Sequence, residues 1–398
     1  MREKLTDRAR EIVLELVLQK LGDQGIDCET FPVEQFYDYL ALGNGDDFRW
    51  DYEGSENSEA SVELTSDDEE TLQRQLDDLV RNGEDIFQDA LWSGAKALVR
   101  AFVKEYDEYE VGEDVELYAF RRSIEYRWGK PLNLFRVMLA SAHDIYLDHS
   151  NSLSRSRAKK GLHLREALLG IQARALRTST AVLVLLENGL ADDAYARWRT
   201  LYELSVVSAF LSLNGDQAAE RYLDHECVSL KKRMDKELSW GAKDIPKRQQ
   251  RDFNRAYEAA LKKYGDDFSK DYGWACPFLT ETQRKSPRFI HLEESIIGKH
   301  VVPPYKEASF QVHAGRAGLL GLSSLDNTEV AGRSEAGIEI PLMHSALCLM
   351  KTTNLLMYHG PSMDLVILHA MMVLEKRIAR EATKIARELH KEFEDSGG

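Results

Sequence analysis

From Ser66 onward, apolar residues recur at spacings of three and four along nearly every segment, the mark of helices that each bury one face. The pattern predicts helices over about 84–109, 112–128, 131–150, 160–188, 191–213, 216–238, 246–264, 304–320, 337–359 and 361–394. Ser66 with Glu69 forms a capping-box pair, and Asp67 and Asp68 suit the positive end of a helix dipole, so a further helix is expected to start at Ser66. Pro131, Pro304 and Pro361 each stand where a helix can begin, because proline in the first turn gives up no intrahelical bond. At the other end, Met1 to Gly22 mixes Arg2, Lys4, Arg8 and Arg10 with Glu3, Asp7, Glu11 and Glu15 around a Leu/Val stripe, an amphipathic helix and not a secretory signal.

Two stretches break the helical rhythm. Phe48, Trp50 and Tyr52 alternate with polar residues, as do Val62 and Leu64, and a Gly/Ser/Asn/Glu loop separates them, which predicts a small β-hairpin at about 44–66. From Gly265 to Pro303 the periodicity lapses and Gly, Pro and aromatics (Tyr272, Trp274, Phe278, Phe289) take over, so 265–303 reads as an irregular insertion, either a lid or an interface. The fold class expected is all-α: a multi-helix bundle domain over 151–398, preceded by an N-terminal, mostly helical region, 1–150, that carries the acidic hairpin.

Charge changes this picture only locally. The formal net charge is −15, from 52 Lys+Arg against 67 Asp+Glu. Asn44 to Glu70 holds eleven acids and one base, Arg49, so this stretch alone carries −10 and the rest of the chain −5. A solvated turn is the ordinary reading of such a run. The apolar runs Ala181 to Leu186 and Leu204 to Leu213 fall short of the about 20 residues of a membrane span, so no membrane segment is expected, and the chain is expected to be cytoplasmic. Cys28, Cys227, Cys276 and Cys348 lie far apart without metal-ligand or disulfide spacing and are expected to be reduced thiols. No Walker A, dinucleotide-binding or HExxH motif occurs, so neither cofactor nor metal is implied. Short basic clusters at Arg155, Arg157, Lys159, Lys160 and at Lys231, Lys232, Arg233 read as solvated faces.

Candidate chemistry comes from polar residues that intrude on apolar helices. Glu203 sits inside the run Leu201 to Leu211, where a carboxylate needs a partner, and Arg199 one turn earlier is the nearest cation. Arg174 falls between Ile171 and Thr178 on the apolar side of its own helix. Arg221 and His225 share a face at i, i+4, and Tyr305, Ser309, His313 and Arg316 would stack along one side of helix 304–320. Brought together, these groups could hold an anion or run acid/base chemistry. The alternative is that each pair fixes helix packing.

Ile171, Arg174, Gly189, Ala194, Arg197, the run R-T-L-Y-E from Arg199 to Glu203, Arg221, Tyr222 and His225, with Tyr305, Ser309 and His313 downstream, resemble a bacterial domain-of-unknown-function family of helical proteins. The resemblance covers roughly 160 to 360. The helical hairpin with Arg and His is also distantly similar to the HEPN superfamily of RNases and of defence or toxin proteins. Arg221 and His225 are closer together than the Arg and His of that motif, whereas Arg157 with His163 and Arg284 with His291 meet its spacing without its following polar residue.

Two functions are therefore expected. In the first, the bundle holds a pocket for a phosphate-bearing ligand, RNA or a nucleotide, in a bacterial stress or phage-defence setting. There His313, His225 and Ser309 would do the chemistry, Arg174, Arg197, Arg199, Arg221 and Tyr305 would bind the ligand, and Glu203 would orient them. In the second, the protein is a non-enzymatic scaffold or interaction module with a protein partner or a second copy of itself, and the polar cluster is structural.

Overall fold

A computed structural model describes residues 2–42, 47–50, 62–155, 161–241, 245–298, 303–313, 316, 321–325, 330–360 and 364–395. Among the described residues every regular element is helical and no strand occurs, so the architecture is all-α and multi-helix. The chain divides into two compact units, Met1–Glu113 and Asp114–Gly398.

In the first unit, α1 (Arg2–Asp23) and α2 (Val33–Leu42) close a small core of Leu14, Leu21, Ile26, Phe31 and Phe36. Phe48 and Trp50, two residues apart, reach this core from one short segment: Trp50 meets Phe31 edge-on at 5.1 Å and Phe48 meets Phe36 at 5.1 Å. The hairpin expected at 44–66 is not found. Residues 47–50 and 62–65 belong to no regular element, while 43–46 and 51–61 lie outside the described residues. The alternation that suggested a strand instead delivers two aromatics to a pair of helices.

The helix expected at Ser66 is present, α3 (Ser66–Arg155), with its cap one residue earlier. Thr65 and Asp68 exchange the capping bonds, Thr65 N to Asp68 Oδ2 at 2.7 Å and Asp68 N to Thr65 Oγ1 at 3.3 Å. Lys20 of α1, 2.5 Å from Asp68, and the Thr65 bonds hold that carboxyl at about 2. The three helices expected over 84–150 are one, for α3 runs through Gly112 and Pro131 without a break. An interior proline costs about 3 kcal/mol. Trp128, Leu132 and Phe135, each at most 1% exposed, bury about 1.5–3 kcal/mol apiece on either side of it, so packing wins.

The second unit is built around α4 (Leu162–Glu187), α5 (Ala191–Asp224), α11 (Glu339–Tyr358) and α12 (Leu365–Asp395). α4 and α5 form an antiparallel hairpin through Asn188-Gly189-Leu190, where Gly189 has φ 67° and stands against Phe120 and the Ser334 carbonyl. One core joins α4 and α5 to residues 268–292; a second joins Ile124 to Ala142 of α3 with α4, α11 and α12. That second core places residues 124–142 in the bundle, within the unit that begins at Asp114. α4 is the one described helix long and apolar enough to cross a membrane, and half of that stretch is buried in the bundle. Inside it, Gln172 Nε2 donates to Thr353 Oγ1 of α11 at 2.9 Å, and both side chains are fully buried.

α5 breaks at Gly215 (φ 74°, ψ −162°), a conformation essentially reserved for glycine. The break lets Asp216 accept from Leu164 N at 2.9 Å and from the His163 ring at 3.1 Å, capping the start of α4. α6 (Glu226–Ser239) and α7 (Lys247–Tyr264) then form a second hairpin. The segment expected to be an irregular lid or interface is ordered into 3-10 turns at Asp266–Ser269 and Gly273–Phe278, then α8 (Glu281–Lys285) and α9 (Phe289–Ile297). Phe268, Trp274 and Leu292 are each at most 3% exposed, so this segment is a wall of the core. α10 (Pro303–Phe310) starts at the expected prolines but stops short of the expected 320.

Candidate functional site

Tyr195, Arg199, Tyr202 and Glu203 follow one another at helical spacing on α5 and meet α9 and α10. The Tyr195 hydroxyl donates to the Pro304 carbonyl at 2.8 Å, which pins the first turn of α10. Arg199 Nη2 donates to the Tyr305 hydroxyl at 3.2 Å, and that hydroxyl donates to Glu203 Oε1 at 2.7 Å. Arg199 Nε lies 3.4 Å from the same carboxylate oxygen, and the guanidinium lies 5.1 Å from the Tyr305 ring centroid. The expected Arg199–Glu203 pair is present and Tyr305 completes it. One turn deeper, the Tyr202 hydroxyl donates to Glu293 of α9, whose side chain is buried. Burial, with Glu293 beside Tyr202 and Glu203 beside Tyr305, raises both phenols well above the usual tyrosine range, so both stay protonated donors.

The side chains of Arg221, in the last turn of α5, and His225, just past its end, do not bond to each other. Arg221 Nε donates to the Trp274 carbonyl at 2.9 Å and Nη2 to the Gly273 carbonyl at 3.3 Å, and the guanidinium lies 4.5 Å from the Tyr264 ring centroid. His225 Nε2 meets the Phe268 and Lys270 carbonyls at 3.1 and 2.9 Å. Burial lowers the His225 pKa from its ordinary value, so the ring is neutral at pH 7 and donates from Nε2. These two side chains supply hydrogen bonds to carbonyls of the two 3-10 turns, which have few backbone partners of their own.

The remaining expected residues do not converge. Arg174 and Arg197 are exposed. Ser309 donates to the Tyr305 carbonyl of its own helix at 3.0 Å. His313 is exposed three residues beyond the end of α10, so the four-residue stack of Tyr305, Ser309, His313 and Arg316 is broken after Ser309. Helix α10 is too short to carry it. Among the described residues no group of three or more His, Cys, Asp or Glu could hold a metal ion.

Sequence reasoning missed a different feature, in the first unit. Trp92, Ala95, Val99, Phe102, Tyr106 and Tyr109 of α3 fall at alternating spacings of three and four, the a and d positions of a heptad. All are exposed: Trp92 64%, Val99 57%, Phe102 61%, Tyr106 54% and Tyr109 63%. Leu91, Leu98 and Val103 flank them at 51%, 55% and 70%. The same periodicity that predicted a helix at 84–109 contained this seam; only burial distinguishes a face packed in the core from one left open.

No curated protein and no solved structure matches the chain. Residues 165–330, from the first turn of α4 past α10 and including the Arg199–Glu203–Tyr305 cluster, match the model of a family of unknown function (DUF5677).

Proposed function

We propose that the protein is a non-enzymatic helical scaffold that pairs with a second copy of itself through the α3 seam. The observation that carries this reading is the exposed heptad run from Trp92 to Tyr109, because an apolar seam of coiled-coil spacing left in water is stabilised by a matching helix. The seam fits itself in antiparallel orientation. Aligned about a two-fold axis midway between Arg100 and Ala101, Val99 faces Phe102 of the second copy, Ala95 faces Tyr106 and Trp92 faces Tyr109, so small residues meet large ones. In a parallel pair Ala95 would face Ala95, Trp92 would face Trp92, and Glu105 would lie against Glu110. Four half-exposed aromatics at about 100 Å² each, with Leu91, Leu98, Val99 and Val103, give roughly 700 Å² per copy, within the range of a specific dimer.

The polar clusters support the same reading from the other side. A phosphate pocket on α5 would need Arg221 and His225 to release the carbonyls of 268–274, and would need Arg199 to leave Tyr305 and Glu203. Releasing the carbonyls strands buried acceptors at about 1–3 kcal/mol each.

Light scattering on the full chain tests this proposal. The wild type should have the mass of a dimer at micromolar concentration, and Val99→Glu with Phe102→Glu should be monomeric with unchanged helical circular dichroism. Orientation is read by cross-linking. A mixture of Val99→Cys and Phe102→Cys chains should form a disulfide, and Val99→Cys alone should not exceed the wild-type background. A wild type that stays monomeric refutes the proposal, and efficient self-linking of Val99→Cys refutes the antiparallel register.

A further inference from the structure

The α6–α7 hairpin carries a charge pattern that neither the bundle core nor the α3 seam uses. Helix α7 is sharply two-sided. Phe253, Tyr257, Ala260, Leu261 and Tyr264 face the protein, and Lys247, Arg248, Arg251, Arg255 and Lys262 all lie exposed within an arc of about 100° on the opposite side. One acid, Glu258, shares that arc. Ion pairing is the rule on the rest of the hairpin: Lys231 pairs with Asp235, Arg233 with Glu237, Lys232 with Asp271, and Lys263 with Glu220 and Asp224. None of the five arc cations pairs with a carboxylate among the described residues. Five unpaired cations on one face of a chain of net charge −15 are a segregated charge and not an average one.

Spacing and a neighbouring aromatic narrow the ligand. Lys247, Arg251 and Arg255 recur one turn apart, about 6 Å along the helix axis, close to the phosphate-to-phosphate separation of an extended nucleic-acid strand. At the tip of the same hairpin, where α6 ends, Trp240 is 75% exposed, with Lys236 Nζ 4.8 Å from its ring centroid. An open indole beside a cation is a stacking platform for an unpaired base. An apolar helix face could insert into a lipid surface, but the apolar face of α7 is already turned onto the protein. We infer that the α6–α7 hairpin binds single-stranded nucleic acid, the α7 stripe neutralising successive phosphates while Trp240 stacks on a base.

Fluorescence anisotropy of the full chain with labelled oligouridine RNA, and separately with oligothymidine DNA, at several salt concentrations tests this. Neutralising about four phosphates predicts a log–log salt slope near 3 for a single strand. Arg251→Glu with Arg255→Glu, both on an exposed helix face, should weaken binding at least about tenfold and reduce the slope by at least about one. Trp240→Ala should weaken binding about five- to a hundredfold and leave the slope unchanged. Tighter binding of the RNA or of the DNA identifies the natural strand and supports the inference in either case. It is overturned by no binding to either oligonucleotide, by variants that bind like wild type while remaining helical, by equal affinity for a duplex, or by affinity for phosphatidylserine vesicles alone. The dimer measurement reads α3 and is unaffected by these outcomes.

Discussion

Replacing Arg221 with alanine tests whether the polar residues of α5 are structural. Arg221 is 7% exposed, and its guanidinium donates to the Trp274 and Gly273 carbonyls and lies over Tyr264 and Phe268. Each hydrogen bond from a charged donor is worth about 1.5–3 kcal/mol, and the ring contact about 1–2 kcal/mol where it is desolvated. Against this stands the desolvation of a cation with no carboxylate partner among the described residues, several kcal/mol, which the wild type bears and the variant escapes. Burial is the largest influence on this guanidinium and lowers its pKa from the ordinary arginine value. The difference leaves a loss of about 2–4 kcal/mol, concentrated where the two carbonyls lose their donor. Because the chain has two compact units, a local readout serves better than a single melting curve. Amide hydrogen exchange over residues 266–279 should quicken by about 30- to 700-fold, at a factor of ten per about 1.4 kcal/mol. Arg221→Lys keeps the charge without the planar fork and should recover only part of the protection. Exchange unchanged within threefold in Arg221→Ala would refute the structural assignment and reopen this residue to ligand binding.

Three further outcomes follow from the bundle. Thr353→Val should cost about 1–3 kcal/mol by stranding the Gln172 amide, whereas the double variant Gln172→Leu, Thr353→Val should return close to wild type in urea unfolding; equal losses in both would show that the bond is not what holds the pair. Gly189→Ala places a Cβ 2.5 Å from the Phe120 ring and 2.7 Å from the Ser334 carbonyl at φ 67°, so a loss of about 2–5 kcal/mol is expected in the same assay, and less than 1 kcal/mol would refute the tight turn. For pH, burial lowers the pKa of His225, His344 and His359 in the folded chain, so as pH falls below the unfolded value of about 6.5 the unfolded chain takes up protons first and stability drops. The limit is about 1.4 kcal/mol per pH unit for buried His225, with less from the partly solvated His359. Asparagine at position 225 should flatten the stability–pH curve between pH 6.5 and 5, and an unchanged slope would show that His225 does not contribute to it.

How much of this was legible beforehand depended on the range of the interaction. Helix α4, α5 as far as Gly215, and α11 were readable because their apolar residues repeat locally and because Gly189 marks the turn between α4 and α5. The continuity of α3 was not readable, since proline and glycine propensities argue for breaks and only the burial of Trp128 and Leu132 against distant helices outweighs them. The 265–303 segment read as an irregular lid or interface for a related reason. Its bonds come from Arg221 and His225, some fifty residues away, and no local periodicity records a bond of that kind. For the site, Arg199 with Glu203 was visible as an i, i+4 pair, whereas Tyr202 with Glu293 joins helices 91 residues apart and left no trace.

The acidic balance of the chain bears on the nucleic-acid inference through screening. At 0.1 M salt a charge is felt over about 10 Å, so a ligand approaching α7 responds to the cations within about two helical turns of it and little to the sum over the molecule. The net charge of −15 sets the isoelectric point, whereas the potential at Arg251 is set by the charges within that range. Lowering the salt lengthens that range to about 30 Å at 0.01 M and lets distant acids oppose binding. The log–log plot should therefore bend, with affinity rising less steeply below about 0.05 M than above it. A line straight down to 0.01 M would mean that charges more than about 10 Å from the stripe do not oppose binding.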